Sequence, residues 1–138
     1  MRKQGIKLKF NPLPEVRGKR IVIVDDSIVR GSTMHQLVAM LFEAGAAEVH
    51  VRVSSPPIVS PCFYGIDMAD EEQLAAAHRS VEQMRELIGA TSLHYLSVEG
   101  MQAATRLPEQ SVCRACFTRD YPTRVPLENA AKLRFEQV

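Results

Sequence analysis

Hydrophobic positions change their spacing twice along the first half of the chain. Residues 21–24 form an unbroken β-branched run, which predicts a strand buried on both faces. Apolar residues then recur at three- and four-residue steps, as one face of an amphipathic helix requires, at Met34, Leu37, Val38 and Leu41. Gly45 follows where a left-handed residue would end that helix. Valines alternate with His50 and Arg52 over residues 49–53, so a second strand should return parallel to the first through a right-handed βαβ crossover.

The second half of the chain opens with a longer helical pattern. Asp70 and Gln73 have the spacing of a capping box, and Gly89 stands where a helix stop is expected, so a long helix is predicted between them. Its apolar face would carry Leu74, Ala77, His78, Val81, Met84, Leu87 and Ile88. This pattern predicts a second helix, as an α/β fold requires.

The remaining elements are short. A strand is predicted over residues 92–96, followed by a helix over residues 101–105. Ser97 lies between them and is either an ordinary helix cap or, with Glu99, a group that shapes a ligand site at the strand end. Residues 123–138 are expected to form a loop and a short amphipathic tail helix.

The loop between the first strand and the first helix combines acids, hydroxyls and a glycine. Asp25 and Asp26 come at the carboxyl end of a parallel strand, where open α/β sheets bind ligands. The helix that follows offers its first N–H groups to an anion, and the residues leading into it are Ser27, Ile28, Val29, Arg30, Gly31, Ser32 and Thr33. Gly31 would let the main chain approach a ligand closely.

Carboxylates repel a phosphate, so the two parts of this loop would bind different parts of one ligand. The acids would take sugar hydroxyls or Mg²⁺, and the backbone of residues 27–33 would take a phosphate. Ribose 5-phosphate offers both groups. The alternative is an Asp-Asp turn followed by a capped helix.

Composition and charge exclude several classes of protein. The chain has 138 residues, of which 46% are hydrophobic, so it can form one modest domain with a core. Its net charge of +1 argues against general nucleic-acid binding. No apolar run is long enough for a membrane span or a signal peptide, which predicts a cytoplasmic protein with no membrane role.

The cysteines indicate a metal site or unpaired thiols. Three cysteines are an odd number for a disulfide framework. Cys113 and Cys116 form a Cys-x-x-Cys motif, which is typical of a metal site or a redox pair. The motif follows a loop at Pro108 rather than a strand, so metal is favoured. With Cys62 the chain offers three thiolates, and a tetrahedral site would lack its fourth ligand.

One stretch resembles a known ligand loop. Residues 24–33 read Val-Asp-Asp-Ser-Ile-Val-Arg-Gly-Ser-Thr and are similar to the phosphoribosyl-pyrophosphate loop of type I phosphoribosyltransferases, in the version of the glutamine phosphoribosylpyrophosphate amidotransferases. Flanking motifs resemble the same family: Gly-Ile-Lys-Leu-Lys at 5–9, Asn-Pro-Leu at 11–13, Ser-Pro-Pro-Ile at 55–58, Pro-Cys-Phe-Tyr-Gly-Ile-Asp at 61–67 and Leu-Ser-Val-Glu-Gly at 96–100. The resemblance runs nearly the whole length of the chain. Because enzymes of this family are several times longer, the chain resembles only their C-terminal part.

The resemblance implies a fold and a division of the chain. We expect an α/β fold that is part of a type I phosphoribosyltransferase domain, with a mostly parallel sheet flanked by helices and an irregular, cysteine-containing C-terminal tail. Residues 1–17 would be a basic lead-in, residues 18–105 the βαβ core, and residues 106–138 the Cys-x-x-Cys loop and tail. In the family the lead-in belongs to a mobile loop that closes over the substrate, which draws attention to Lys7 and Lys9.

The resemblance also implies an activity. The parent enzyme would transfer glutamine-derived ammonia onto phosphoribosyl pyrophosphate, giving phosphoribosylamine, pyrophosphate and glutamate in the first committed step of purine synthesis. Asp25 and Asp26 would bind the ribose hydroxyls and Mg²⁺, and residues 27–33 would cradle the 5-phosphate. One branch of the family carries a [4Fe–4S] cluster, and Cys62, Cys113 and Cys116 match its pattern. The remaining cluster cysteine would lie outside this chain, so the cluster is expected in the parent and incomplete or absent here.

Two function classes stay open. In the first, the chain is the phosphoribosyl part of the enzyme, lacks the N-terminal glutaminase half and the loop that grips pyrophosphate, and does not catalyse the reaction alone. Its sheet should expose an edge, so a homo-oligomer or a partner is expected to cover it. In the second, the chain is a non-catalytic module that keeps a phosphoribosyl-phosphate or metal site without turnover.

Overall fold

The computed structural model describes residues 12–68 and 70–125, and its centre is a parallel sheet of three strands. The strands are β1 (Arg20–Asp25), β2 (Glu48–Val53) and β3 (Ser92–Tyr95), in the spatial order β1-β2-β3. The central strand, β2, pairs in parallel with both neighbours. The predicted α/β class and the three predicted strands are therefore confirmed.

Helices connect and follow the strands. They are α1 (Ser32–Glu43), α2 (Val81–Ile88), α3 (Val98–Thr105) and α4 (Ala115–Thr118), and short 3₁₀ turns lie at Pro14–Val16, Glu71–Gln73, Ala75–Ala77 and Glu109–Ser111. The first helix ends as its sequence predicts, because Gly45 follows its last turn with a left-handed φ of 96°. Helix α3 begins three residues earlier than the pattern indicates, since Ser97 Oγ caps it by accepting a hydrogen bond from the Gly100 N–H at 2.9 Å.

The core lies between one face of the sheet and helices α1 and α2. Alternate residues of β2 point into it, so Val49, Val51 and Val53 are buried. Met34 and Val38 of α1 and Met84 and Ile88 of α2 pack in the same cluster. The alternation of valines in β2 thus has the one-sided burial that the sequence pattern predicted.

The opposite face of β1 is open, which corrects the prediction of a strand buried on both faces. Val22 is 59% exposed and Val24 is 73% exposed, whereas Ile21 and Ile23 pack against the core. The strand order explains this, because two right-handed crossovers in the same direction place α1 and α2 on one side of the sheet. Within residues 12–68 and 70–125, no helix covers the other side.

His50 lies on this open face, paired in register with Val22 of β1. Its Nδ1 is 2.8 Å from Ser92 Oγ and its Nε2 is 2.8 Å from a carboxylate oxygen of Glu48. Arg52 also donates to Ser92 Oγ, at 3.0 Å. These contacts join β2 to β3 and account for the histidine without a ligand role.

The predicted long helix from Asp70 to Gly89 is wrong in its first half. Asp70 makes no side-chain cap, and the capping box is formed ten residues later by Ser80 and Gln83. Residues 70–77 instead form two 3₁₀ turns, with Leu74 extended between them. The Ala75 N–H donates to the Val29 carbonyl at 2.8 Å. This backbone group therefore pairs with a distant loop and not with a carbonyl of its own segment, as it would in a continuous helix.

The two ends of the chain fall partly outside the described residues. Lys7, Lys9 and the predicted tail helix beyond residue 125 all lie there. The described end of the basic lead-in contains the 3₁₀ turn Pro14–Val16, and Val16 packs against the core. Within the part of the chain that the structure describes, no helix combines the length and apolar character needed to cross a bilayer.

Candidate phosphate-binding site

The loop between β1 and α1 opens onto a cavity at the carboxyl end of the sheet. Asp25 ends β1, and Ser32 begins α1. Gly31 occupies the N-cap position, and no side chain among the described residues caps this helix. The first N–H groups of α1 are therefore left for a ligand or water, which is the arrangement that favours an anion.

The cavity has a volume of about 570 Å³ and is formed mainly by the loop itself. Its walls consist of Asp25, Ser27, Ile28, Val29, Arg30, Gly31, Ser32, Thr33, Met34, Gln36, Asp67 and Met68. Of the predicted ligand residues, Asp26 is the one that does not line it. The structure thus brings eight of the nine predicted residues to one cavity.

The two aspartates are held by the loop's own groups. The Asp26 N–H donates to Asp25 Oδ1 at 3.0 Å, and the Ser27 hydroxyl donates to Asp26 Oδ1 at 3.0 Å. Asp25 is half-buried at the cavity wall, whereas the Asp26 side chain is exposed. Oxygen donors of this kind suit Mg²⁺, which is commonly held by one or two carboxylates together with substrate phosphates. The donor set at this loop therefore fits that cation.

The loop residues differ in what they contribute. Ile28 is 3% exposed and belongs to the core cluster, so its side chain anchors the loop. The Val29 carbonyl accepts the hydrogen bond from Ala75 N–H. Arg30 is exposed at the cavity, where its guanidinium donates to Gln73 Oε1 at 2.5 Å.

Gly31 is required by backbone conformation and by packing against a helix. Its φ is 78°, in the left-handed region that favours glycine. A Cβ atom at this position would lie 3.3 Å from Leu87 Cδ2, 3.8 Å from Ile88 Cγ2 and 3.9 Å from Ala75 Cβ. In the structure, the backbone at Gly31 therefore approaches α2 and Ala75 closely.

Four cavity residues were missing from the predicted ligand set: Met34, Gln36, Asp67 and Met68. Gln36 lies one helical turn after Ser32, and its Oε1 is buried with no hydrogen-bond partner among the described residues. The spacing of Gln36 from Ser32 and Thr33 could have indicated it, since residues three and four apart share a helix face. Asp67 and Met68 come from the end of the proline-rich loop that follows β2 (residues 54–68), and nothing in their local sequence places them beside β1.

The three cysteines line a second cavity of about 480 Å³ beside the first. Cys62, Cys113 and Cys116 are all unpaired thiols, and Cys116 lies within α4. Burial raises the pKa of the Cys116 thiol, and the neighbouring Cys62 and Cys113 thiols raise it further, against a backbone hydrogen bond that lowers it. Cys62 Sγ accepts a hydrogen bond from the Tyr64 N–H at 3.4 Å.

These thiols share a cavity but do not form a metal site in this arrangement. Among the described residues, no three Cys, His, Asp or Glu side chains converge as ligands of one ion. The residues present therefore do not fit a metal or an iron–sulfur cluster as they stand. Iron–sulfur ligation by Cys62, Cys113 and Cys116 stays a prediction for the parent enzyme.

Comparisons with known proteins identify one family of related chains. The phosphoribosyl transferase domain family matches residues 2–55. The amidophosphoribosyltransferase of Synechococcus elongatus is 53% identical over 140 residues, which cover 100% of this chain and 28% of that protein. The Bacillus subtilis amidophosphoribosyltransferase is 52% identical over 130 residues, with 91% and 27% covered.

Solved structures show the same relationship. The B. subtilis glutamine phosphoribosylpyrophosphate amidotransferase, solved with ADP and GMP, aligns with a TM-score of 0.77 at 47% identity over 91% of this chain and 30% of its own. A structure described as the allosteric regulatory enzyme of purine biosynthesis aligns with a TM-score of 0.75 at 53% identity, over 82% and 25%.

The fold and the loop together define part of a type I phosphoribosyltransferase domain. Within that class, the chain is homologous to part of the amidophosphoribosyltransferases, which confirms the resemblance seen in the sequence motifs. The chain spans about a quarter of the length of the curated relatives it matches.

Proposed function

We propose that this chain is the phosphoribosyl-binding part of an amidophosphoribosyltransferase and binds phosphoribosyl pyrophosphate at the loop between β1 and α1. The observation that carries this proposal is the single cavity that joins Asp25 to the uncapped start of α1. A carboxylate at one end and helix N–H groups at the other match the hydroxyls and the 5-phosphate of a phosphoribosyl group.

In this proposal the loop divides the ligand between its two halves. Residues 27–33 bind the 5-phosphate, with the N–H groups at the start of α1 as donors. Asp25, at the cavity wall, accepts from the ribose hydroxyls, and the exposed Asp26 faces the side from which Mg²⁺ and pyrophosphate approach. When bound, Mg²⁺ would neutralise charge on the leaving pyrophosphate.

The activity of the whole enzyme extends this proposal. The parent would convert phosphoribosyl pyrophosphate and glutamine to phosphoribosylamine, pyrophosphate and glutamate, in the first committed step of purine synthesis in the cytoplasm. The 138-residue chain would bind the phosphoribosyl group without completing that reaction, since it spans about a quarter of its relatives. Steady formation of phosphoribosylamine by the purified chain, with phosphoribosyl pyrophosphate and ammonia supplied, would contradict this.

The open side of the sheet supports the further proposal of a partner or a second copy. Parallel sheets are normally covered on both faces, yet Val22 and Val24 are exposed on β1. The residues beside them on β2, among them His50, are polar. We propose that a glutaminase-bearing partner or self-association covers the two valines.

Calorimetric titration with ribose 5-phosphate in the presence of Mg²⁺ tests the binding proposal. Replacing Asp25 by Asn removes a charged acceptor at the cavity and should weaken binding by about tenfold or more. Asp120→Asn is a matched control, because Asp120 lies outside the cavity. Equal affinities of the two variants would contradict the proposed site. Tight binding without any turnover in a reconstituted enzyme would favour the non-catalytic module instead.

A further inference from the structure

The ligand cavity and the cysteine cavity share a wall. Four residues line both of them: Ser27, Val29, Asp67 and Met68. A side chain on one side of this wall can therefore influence the shape of the other side. The contacts of residues 70–77 with both sides determine the position of this wall.

Residues 70–77 contact the phosphate loop (residues 27–33) at three consecutive residues. The Ala75 N–H donates to the Val29 carbonyl at 2.8 Å. One turn earlier, Gln73 Oε1 accepts from Arg30 Nη2 at 2.5 Å. Ala75 also lies against Gly31, at 3.9 Å from where its Cβ would be. This segment thus touches three consecutive residues of the loop.

The other end of the same segment contacts Arg119, the residue that directly follows the Cys116-containing helix α4. Glu71 Oε1 accepts from Arg119 Nη2 at 2.7 Å, and the same nitrogen donates to the Val59 carbonyl at 3.0 Å. Arg119 directly follows α4, with a left-handed φ of 63° and its N–H bonded to the Ala115 carbonyl at 2.7 Å. The Arg119 side chain therefore starts from a fixed point one turn from Cys116.

We propose that residues 70–77 are a bridge that positions the phosphate loop, with Gln73 as the positioning residue for Arg30 and Glu71 as its anchor to α4. The inference rests on the proposed function, because it takes the cavity beside Arg30 as the phosphoribosyl site. An exposed arginine has many rotamers, and fixing it costs entropy when a ligand binds. Gln73 holds the guanidinium at the cavity in advance, which lowers that cost.

Ligand affinity of Gln73 variants tests the first contact. Gln73→Met keeps the length of the side chain but removes the acceptor, and should weaken ribose 5-phosphate binding by about two- to fivefold, the range of an exposed charged contact. Arg30→Met removes the guanidinium itself, and adding Gln73→Met to it should cause no further loss, because Gln73 acts on the ligand only through Arg30. The urea midpoint should not move in any of these variants, since Gln73 and Arg30 are both exposed.

The anchor is tested by a double-mutant cycle. Glu71→Met and Arg119→Met should each weaken binding by about twofold, and the double variant should be no weaker than either single one. Glu82→Met is the matched control, because Glu82 pairs with Arg85 at the same 2.7 Å but lies on α2. It should leave the affinity unchanged.

The outcomes separate this inference from the proposed function. Original affinity in Gln73→Met would overturn the positioning role while leaving the ligand site intact. A further loss on adding Gln73→Met to Arg30→Met would also overturn it, because the amide would then act on the ligand without Arg30. If the original chain binds no ribose 5-phosphate, the proposed function fails and the inference fails with it.

Discussion

Substitution of Gly31 tests how the phosphate loop is built. Gly31 combines a left-handed φ of 78° with a position 3.3 Å from Leu87 Cδ2, measured from an added Cβ. Gly89 is also left-handed, with a φ of 72°, but nothing lies within 4 Å of its Cβ position. The two glycines therefore separate the cost of conformation from the cost of packing.

The expected losses of stability follow from the cost of conformation and the cost of packing. Alanine at either position should lower the free energy of unfolding by about 1–2 kcal/mol, the cost of a left-handed conformation for a residue with a Cβ. The contact with Leu87 adds little for alanine, because that side chain is 39% exposed and can move. Valine has γ-methyl groups that overpack the buried position, so Gly31→Val should cost about 1–3 kcal/mol more than Gly89→Val.

Urea denaturation of the four variants measures these differences. The alanine pair should unfold at similar midpoints, and Gly31→Val should unfold well before Gly89→Val, with an unchanged denaturant slope. Equal midpoints of the two valine variants would refute the proposed packing of the loop against α2. A much larger loss in Gly31→Ala than in Gly89→Ala would show that Leu87 cannot move as its exposure suggests.

Three further predictions concern the rest of the described chain. Ser80→Ala should lower the free energy of unfolding by about 1 kcal/mol and Asp70→Ala should not, because Ser80 alone caps α2, and urea titration of both variants distinguishes them. Burial raises the pKa of Tyr95 from 10.0 to about 12, so its contribution to stability is complete below pH 10 and is lost as pH rises towards 12. Tyr95→Phe should remove this loss of stability at high pH. Urea unfolding at about pH 8 and about pH 11 measures it, because these values lie on either side of the ordinary tyrosine pKa of ~10. Iodoacetamide should label the exposed Cys113 faster than Cys116, whose pKa is raised by burial, and mass spectrometry showing equal rates in the folded chain would contradict this.

Local patterns predicted the strands because burial here follows the two-residue period. Valines of β2 alternate with His50 and Arg52, and this alternation alone identifies a strand with one buried face. The run in β1 carries no such information, since all four of its central residues are β-branched. Which of its faces is covered depends on the order of the strands, and strand order is a property of the whole fold.

The two capping patterns show the same limit at a helix start. Asp70 with Gln73 and Ser80 with Gln83 both have a residue suited to an N-cap followed by glutamine three positions later. Only the second pair forms the box, and the segment after Asp70 instead bonds a distant loop through the Ala75 N–H and the Val29 carbonyl. No local pattern encodes that partner.

The residues that line the candidate cavity were predictable where they are contiguous in sequence. Residues 27–33 lie together in a strand-to-helix connection, so their convergence follows from the connection itself. Asp67 and Met68 reach the cavity only because the proline-rich loop folds back beside β1. Gln36 is intermediate, since helical spacing places it near Ser32 but does not show that its amide oxygen is buried without a partner among the described residues.

The central claim is that the loop between β1 and α1 binds a phosphoribosyl group. Amide chemical shifts of the ¹⁵N-labelled chain, followed during titration with ribose 5-phosphate and Mg²⁺, test it most directly. The proposed site predicts saturable shifts concentrated in residues 27–33 and at the first turn of α1, with Val22 and His50 on the open sheet face unaffected. Saturation of shifts elsewhere, with the amides of residues 27–33 unmoved, would contradict it.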